Sequence, residues 1–363
     1  MKKNMFYKIL CIVFITSLPF GAKAQEKISK QLKEEHSLTN MGELFLDNKY
    51  GDIIINGWEK DSINIIIDIE ANGKDRATAQ ELLSRIKPSI LITEKLISVK
   101  SEVLEKEASL FNKYFSKIDP FTNEAANAKV NYTIYLPVRA EIELFNRYGD
   151  VLLSDWNGRL KATVEHGDLR LLDNIENPDL SISHGKLKAK SLVGAKIIAS
   201  NGDIDINISD GLRLDTNGSE IKIGNATSLE LYSNKDEIEV DSLSSIFGTV
   251  KYSTVVLNSV EEKVNLNLNI AELKILKFTK LFPVLAIEEF SSEIYINVSE
   301  ISFDLAAKLE QGVLRIPTSM KDVNTNMIDK KDKIRIINAT YGTKGKGTFS
   351  FTGTKGVIIL REL

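Results

Sequence analysis

The residues of this chain that could do chemistry begin with two histidines. His166 and His184 lie 18 residues apart, each before a glycine in a repeated phrase, and Asp168 follows the first of them. If the phrases lie one above the other in the fold, these three side chains could hold a divalent metal ion or share a proton. A polar ladder without a metal is the commoner explanation, because Tyr148 and Asn201 occupy equivalent positions and need no ion.

A row of acidic residues is the second candidate for chemistry. Its members hold one position of the repeat: Asp150, Asp168, Asp203, Glu220 and Glu237. In a polysaccharide lyase or hydrolase, such carboxylates could bind calcium or act as an acid/base pair. Lys186 interrupts the row, however, and the neighbouring outward positions mix both signs, as on a solvated sheet surface whose charges compensate each other. We therefore predict no catalytic residue and no cofactor.

The phrase that positions these residues is a glycine followed by alternating apolar residues. Its anchor residues are Gly149, Gly167, Gly185, Gly202, Ser219, Asp236 and Ser253, at successive steps of 18, 18, 17, 17, 17 and 17. Such a constant period is typical of stacked coils, because each coil must offer the same inward positions to its neighbours. We predict an all-β fold, a parallel β-solenoid with about 17 to 20 residues per coil.

The alternation also predicts which side chains face the core. Leu169, Leu171 and Ile206 should point inward, whereas Arg170 and Lys222 should point outward. We expect the anchor glycine, with the residue before it, to form a corner and to supply the positive φ that the turn needs. The aligned corners should place His166 above His184.

Both ends of the chain are less regular. We predict further copies of the repeat at 271–275, 292–296, 312–316 and 332–336, a polar loop at 318–331, and two closing strands with glycine-rich corners. At the other end we predict a mixed entry region over residues 25–140, before the repeat region 141–363. This entry region should carry two short helices, within insertions at 75–86 and 104–128, that cap an exposed sheet edge. The aromatic stripe at 110–118 could instead be a docking face for a partner or a membrane surface.

The chain starts like an exported protein. Residues 1–24 combine a lysine-rich start, an apolar run and the Ala22-Lys23-Ala24 pattern, which predicts a signal peptide that is removed. Its removal takes away Cys11, the only cysteine, and leaves 43 basic against 50 acidic residues, a formal charge of −7. This mild acidity argues against nucleic acid as a partner. No later segment predicts a transmembrane span, so we expect a location in the periplasm, at the cell surface or outside the cell.

The chain resembles the bacterial putative-adhesin β-solenoid family, which is related to autotransporter adhesin head domains. The resemblance covers residues 40–363 and depends on the repeated phrase, on Leu136-Pro137 just before the first regular copy, and on the closing Gly347-Thr348-Phe349-Ser350-Phe351 segment. It implies a fold rather than an activity, since the family brings no catalytic motif to carry over.

Two functional hypotheses follow. The first is an exported non-enzymatic scaffold or adhesin-like protein that binds an envelope component, either a glycan or a protein. The alternative is an extracellular polysaccharide-active lyase or hydrolase. We favour the first because aromatic residues make up 7% of the chain and Trp156 is the one tryptophan in the repeats, whereas sugar subsites usually offer stacking rings.

Overall fold

The structure is a computed structural model that describes residues 26–103 and 127–362. The predicted signal peptide and the second predicted helix, at 110–118, lie outside these ranges. Seven strands and one helix precede the regular repeats: β1 Glu26–Ser37, β2 Glu43–Lys49, β3 Ile53–Trp58, β4 Ser62–Gly73, α1 Arg76–Arg85, β5 Ile86–Ile92, β6 Leu96–Val103 and β7 Ala128–Pro137.

The remaining strands follow one another without a helix in the described part of the chain. Those up to the last copy of the repeat are β8 Glu141–Arg147, β9 Val151–Ser154, β10 Leu160–Glu165, β11 Leu169–Glu176, β12 Asp179–Ser183, β13 Lys186–Val193, β14 Lys196–Ser200, β15 Asp203–Asp210, β16 Leu212–Asn217, β17 Glu220–Asn234, β18 Glu237–Lys251, β19 Thr254–Leu257, β20 Val260–Asn269, β21 Glu272–Ile275, β22 Val284–Phe290, β23 Glu293–Asn297, β24 Phe303–Glu310 and β25 Val313–Arg315. Four strands end the chain: β26 Lys321–Asp329, β27 Ile334–Tyr341, β28 Gly347–Thr354 and β29 Val357–Arg361.

The predicted fold class is wrong in its topology and in its helix count. The described ranges are all-β apart from one helix, but their 29 strands form one mixed sheet rather than a parallel β-solenoid. Antiparallel pairs join β1 to β4, β4 to β7, β5 to β6, β24 to β27 and β26 to β27. The described residues hold one helix, not two. Apolar alternation has the same period in parallel and antiparallel strands, so it could not reveal these reversals.

Within this sheet, successive copies of the repeat are parallel neighbours and form two ladders. The first ladder contains β6, β2, β8, β10, β12, β14, β16, β17, β18, β20, β22, β28 and β24. The second ladder contains β7, β3, β9, β11, β13, β15, β17, β18, β19, β21, β23, β29 and β25. The long strands β17 and β18 belong to both ladders.

The core is built from the inward residues of these strands. In the second ladder Leu169 pairs with Leu187, which pairs with Ile204, and all three are at most 2% exposed. Leu171 and Ile206 are also buried, whereas Arg170 and Lys222 are exposed. The predicted inward and outward faces are therefore confirmed.

The end of the chain differs from the predicted series of copies. The final strand β29 lies between β23 and β25, so the last copies are not in chain order. In the segment predicted as a copy at 332–336, residues 332 and 333 form a turn and residues 334–336 begin β27, which is antiparallel to β24 and β26. The predicted polar loop at 318–331 contains β26, whose residues are almost all exposed. Polar strands at a sheet edge and polar loops have similar compositions, which is why the sequence did not separate them.

Helix α1 forms where the helical spacing predicts it. Asp75 caps its N-terminus by accepting a hydrogen bond from the backbone N–H of Thr78 at 2.8 Å, and this bond lowers the pKa of the Asp75 carboxyl. The helix buries Ala79 and Leu82 as it packs on β4 and β1. Across the described ranges, the structure contains no helix that is long and apolar enough to cross a membrane.

Candidate functional site

The candidate site is the row of corners that joins the two ladders. The residue before each glycine anchor has a positive φ: 59° at Tyr148, 54° at His166 and 52° at His184. The glycine that follows is needed for a different reason, since a Cβ at Gly185 would lie 1.9 Å from the backbone oxygen of Gly167. The predicted corner is confirmed, but the residue before the glycine takes the positive φ and the glycine itself does not. The glycine is required instead by the close backbone approach between copies.

The side chains at these corners form a stack of rings. Tyr50 stacks on Tyr148 with ring centroids 5.1 Å apart, Tyr148 on His166 at 4.9 Å, and His166 on His184 at 4.8 Å. These distances match the spacing between neighbouring strands, so the parallel register itself places the rings face to face. The predicted position of His166 above His184 is confirmed. We call Tyr50, Tyr148, His166 and His184 the ring stack.

The two inner members of the ring stack, Tyr148 and His166, have a neighbouring ring against each face. Tyr148 is 47% exposed and both histidines are exposed. The lone pair of a neutral imidazole lies in the ring plane, so the two stacked rings direct their nitrogens side by side instead of toward one point. Nδ1 of His184 is 2.8 Å from the hydroxyl oxygen of Ser183. In the part of the chain that the structure describes, no group of three His, Cys, Asp or Glu side chains could hold a metal ion.

Asp168 lies beside the ring stack and is engaged with the protein itself. Its Oδ1 accepts the backbone N–H of Lys186 at 3.1 Å, and its Oδ2 lies 3.4 Å from the Arg170 guanidinium. In the same way, Asp150 Oδ1 accepts the N–H of Asp168 at 2.9 Å. Each of these carboxylates thus links its copy of the repeat to the next copy.

The row of bridging carboxylates stops at Lys186, which has no carboxylate to accept the next backbone N–H. The copy that starts at Gly167 has 18 residues, and its extra residue causes the register shift between Leu171 and Asn174. From Gly185 to Ser253 the period is 17, and the N–H of Asp203 bonds to the backbone oxygen of Gly185 at 3.0 Å. In the 18-residue copies an aspartate oxygen accepts the N–H of the residue after the next anchor glycine. In the 17-residue copy that starts at Gly185 a backbone oxygen accepts the equivalent N–H.

Charges on the outer face of the second ladder compensate each other. Lys186 pairs with Asp203 at 3.0 Å and Lys188 with Asp205 at 3.6 Å, so cations and carboxylates of adjacent strands meet. These side chains are roughly half exposed, and pairs of this kind contribute about 0 to 1 kcal/mol each. The pairing agrees with the charge-compensated surface predicted from the sequence.

A buried polar cluster surrounds Asp236 and was not predicted from the sequence. Asp236 is 2% exposed and stands where earlier copies have glycine. Its Oδ1 accepts the N–H of Ser219 at 2.7 Å, and its Oδ2 accepts the hydroxyls of Thr216 and Ser233, both at 2.7 Å, and the N–H of Asn234 at 3.0 Å. The available signal was the polar residue three places before two of the non-glycine anchors, Thr216 before Ser219 and Ser233 before Asp236, which breaks the inward apolar pattern.

A second buried carboxylate lies in a later copy, at the position that Ser233 holds beside Asp236. Glu289 is 6% exposed, and the backbone N–H groups of Ser292 and Gly356 donate to its two oxygens, both at 3.2 Å. A Cβ at Gly353 or Gly356 would lie 2.1 Å from a Glu289 oxygen, so these glycines make room for the side chain. Burial raises the pKa of the Glu289 carboxyl, and the two N–H donors oppose that rise.

Comparisons with known proteins identify similar solved structures. No protein-family model matches this chain, and no curated protein matches it. A putative adhesin from Parabacteroides merdae is 9% identical, with 74% of this chain and 93% of that chain covered and a TM-score of 0.39. A putative adhesin from Bacteroides fragilis is 10% identical, with 74% and 97% covered and a TM-score of 0.30.

A third similar structure carries a different description. It is a putative lipid binding protein from Parabacteroides distasonis, 12% identical, with 74% of this chain and 94% of that chain covered and a TM-score of 0.31. The first two structures are described as putative adhesins, as is the family that the sequence resembles.

Proposed function

We propose that this chain is an exported, non-enzymatic binding or scaffold protein of the adhesin type, whose outer surface binds a glycan or a protein of the cell envelope. The observation that carries the proposal is the parallel register of the second ladder. Thirteen strands in register extend over about 60 Å at the usual strand spacing. Outward side chains therefore recur at a constant interval, which suits an extended partner.

The carboxylates near the ring stack favour binding over catalysis. A general acid and base need two carboxyl groups in unlike environments, with oxygens free to meet the substrate. Asp150 and Asp168 instead hold backbone N–H groups of the next copy, and Asp203 and Asp205 pair with lysines. Trp156 is 2% exposed and donates its Nε1–H to the backbone oxygen of Ala140, so it offers no ring face to a sugar.

Export belongs to the same proposal. Residues 1–24 have the features of a cleaved signal peptide, so we place the mature chain in the periplasm, at the cell surface or outside the cell. The entry region 25–140 would then cap the repeat region 141–363. Fractionation of cells that carry a tagged chain, together with N-terminal sequencing of the product, tests this placement. A tagged product that keeps residues 1–24 and stays in the cytoplasm would contradict it.

A retention assay on envelope fractions tests the binding surface. We expect the chain to bind at least one fraction, and a charge-reversed variant of the second ladder, with Arg170, Lys188 and Lys222 all changed to Glu, to bind about tenfold less. These three side chains are more than half exposed, so the variant should fold. The matched control reverses Lys161, Lys196 and Arg213 on the outer face of the first ladder. No retention by any fraction, or equal losses in both variants, would contradict the proposal.

A further inference from the structure

Strand β26 extends from the sheet with little cover. Eight of its nine residues are exposed, and among the described residues only β27 pairs with it. Three apolar side chains are left in solvent: Val323 is 52% exposed, Met327 47% and Ile328 55%. An edge strand with unpaired backbone groups and exposed apolar side chains is a template for another strand.

The pairing of β26 with β27 is symmetric about Thr325. Thr325 lies opposite Ile337, while Lys321 lies opposite Thr340 and Asp329 opposite Ile334. The partners of Lys321 and Asp329 are therefore each three residues away from Ile337, the partner of Thr325. One extra β26 residue is bulged out on either side, between Lys321 and Asn324 and between Met327 and Asp329, so the two bulges keep this symmetry.

We propose that β26 is a homodimerisation strand, which pairs antiparallel with β26 of a second copy about a two-fold axis at Thr325. That axis places Lys321 opposite Asp329 of the second copy, twice, and Val323 opposite Met327, twice. Opposite charges and apolar pairs across antiparallel strands stabilise the pairing. A two-fold interface uses the same patch on both copies, so a self-complementary strand is what it requires.

Other positions of the axis lose this complementarity. Moving it by one residue along β27, the smallest shift that keeps facing side chains on the same side of the sheet, places Asn324 opposite Asp329 in one direction and Lys321 opposite Asn326 in the other. Both shifts separate the opposite charges, and they pair Met327 or Val323 with Thr325 instead of with each other. The axis at Thr325 is thus favoured among its immediate alternatives. The inference is independent of which envelope component the outer surface binds.

Disulfide trapping tests the register directly. In the full chain with Cys11→Ser, an introduced thiol is the only one present. Directly opposite residues of antiparallel strands have Cα atoms about 4.5 to 5.5 Å apart, which a disulfide can bridge. We expect Thr325→Cys to form a covalent dimer under mild oxidation. Asn324→Cys alone should crosslink at least about tenfold more slowly, but it should crosslink readily when mixed with an Asn326→Cys copy, which lies opposite it.

Sedimentation equilibrium gives a second measurement that needs no crosslink. We expect the full chain to show a monomer–dimer equilibrium and Lys321→Glu to raise the dissociation constant at least about tenfold, because it places like charges opposite each other. Lys263→Glu makes the same charge change on the first ladder and should leave the constant unchanged. The proposal is overturned if the chain sediments as a monomer at about 100 μM, a weak-dimer concentration, or if Thr325→Cys crosslinks no faster than Asn324→Cys.

Discussion

The backbone of Gly167 lies against the backbone of Gly149 in the neighbouring copy, so that a Cβ added at Gly167 would be 2.0 Å from the Gly149 oxygen. The same contact recurs between Gly149 and Gly51 and between Gly185 and Gly167. Anchor glycines therefore set how closely the copies approach each other at the ring stack.

This contact predicts that Gly167→Ala destabilises the fold. The added methyl group would have to push two hydrogen-bonded backbones apart, so we expect the free energy of unfolding to fall by about 3 kcal/mol in chemical denaturation. Gly312→Ala is the control, because the nearest atom to its Cβ would be 3.3 Å away, and it should cost less than about 1 kcal/mol. Similar losses in both variants would show that close approach is not the reason for the glycine.

The faces of the strands make a second prediction. Ile206 is fully buried, so Ile206→Asp should place an unpaired charge in the core and lower the free energy of unfolding by about 4 kcal/mol or prevent folding. Lys222→Ala should change it by less than about 0.5 kcal/mol, because the Lys222 side chain is 61% exposed. Equal effects in thermal or chemical unfolding would mean that the faces are assigned incorrectly.

The Asp236 cluster predicts a strong effect from a single oxygen. Asp236→Asn replaces an acceptor by an NH2 group that would face the N–H and O–H donors around it, so we expect a loss of about 2 to 3 kcal/mol in the free energy of unfolding. Asp241→Asn is the matched control, since Asp241 is exposed and accepts one bond from Asn258 at 2.9 Å. A loss in Asp236→Asn no larger than in the control would contradict this role of Asp236.

The raised pKa of Glu289 predicts a pH-dependent contribution to stability. The unfolded chain loses this proton near pH 4.5, whereas the folded chain keeps it to a higher pH. Between the two pKa values the folded state binds more protons, so stability from this group falls as pH rises, by at most about 1.4 kcal/mol per pH unit. The unfolding free energy of the wild type should therefore fall relative to that of Glu289→Gln as the pH rises above 4.5. Parallel pH profiles would contradict the assignment.

The sequence predicted those features that depend on local period and on step length. Alternation fixes which side chains lie on one face, so the inward positions of Leu169 and Ile206 were predictable. The 18-residue step between His166 and His184 was also sufficient to place one ring above the other. Neither inference needs the direction of a strand.

Strand direction and buried polar contacts could not be predicted in this way. Nothing in the alternation of Ile334 to Ile337 shows that β27 runs antiparallel to both of its neighbours. The bond from Lys186 N–H to Asp168 joins two copies that only the fold brings together. In the sequence, Asp236 is recognisable only as an anchor whose glycine is replaced. Its four hydrogen-bond donors come from residues of two copies that only the fold brings together.

Turnover on polysaccharide tests most directly whether the surface beside the ring stack binds or reacts. The purified chain would be incubated with a panel of envelope and extracellular glycans, and both the bound chain and the soluble sugar fragments would be measured over time. We predict retention without release of fragments, in the wild type and in Asp168→Asn alike. Reproducible release of fragments that Asp168→Asn or Asp203→Asn abolishes would contradict the account and establish an enzyme.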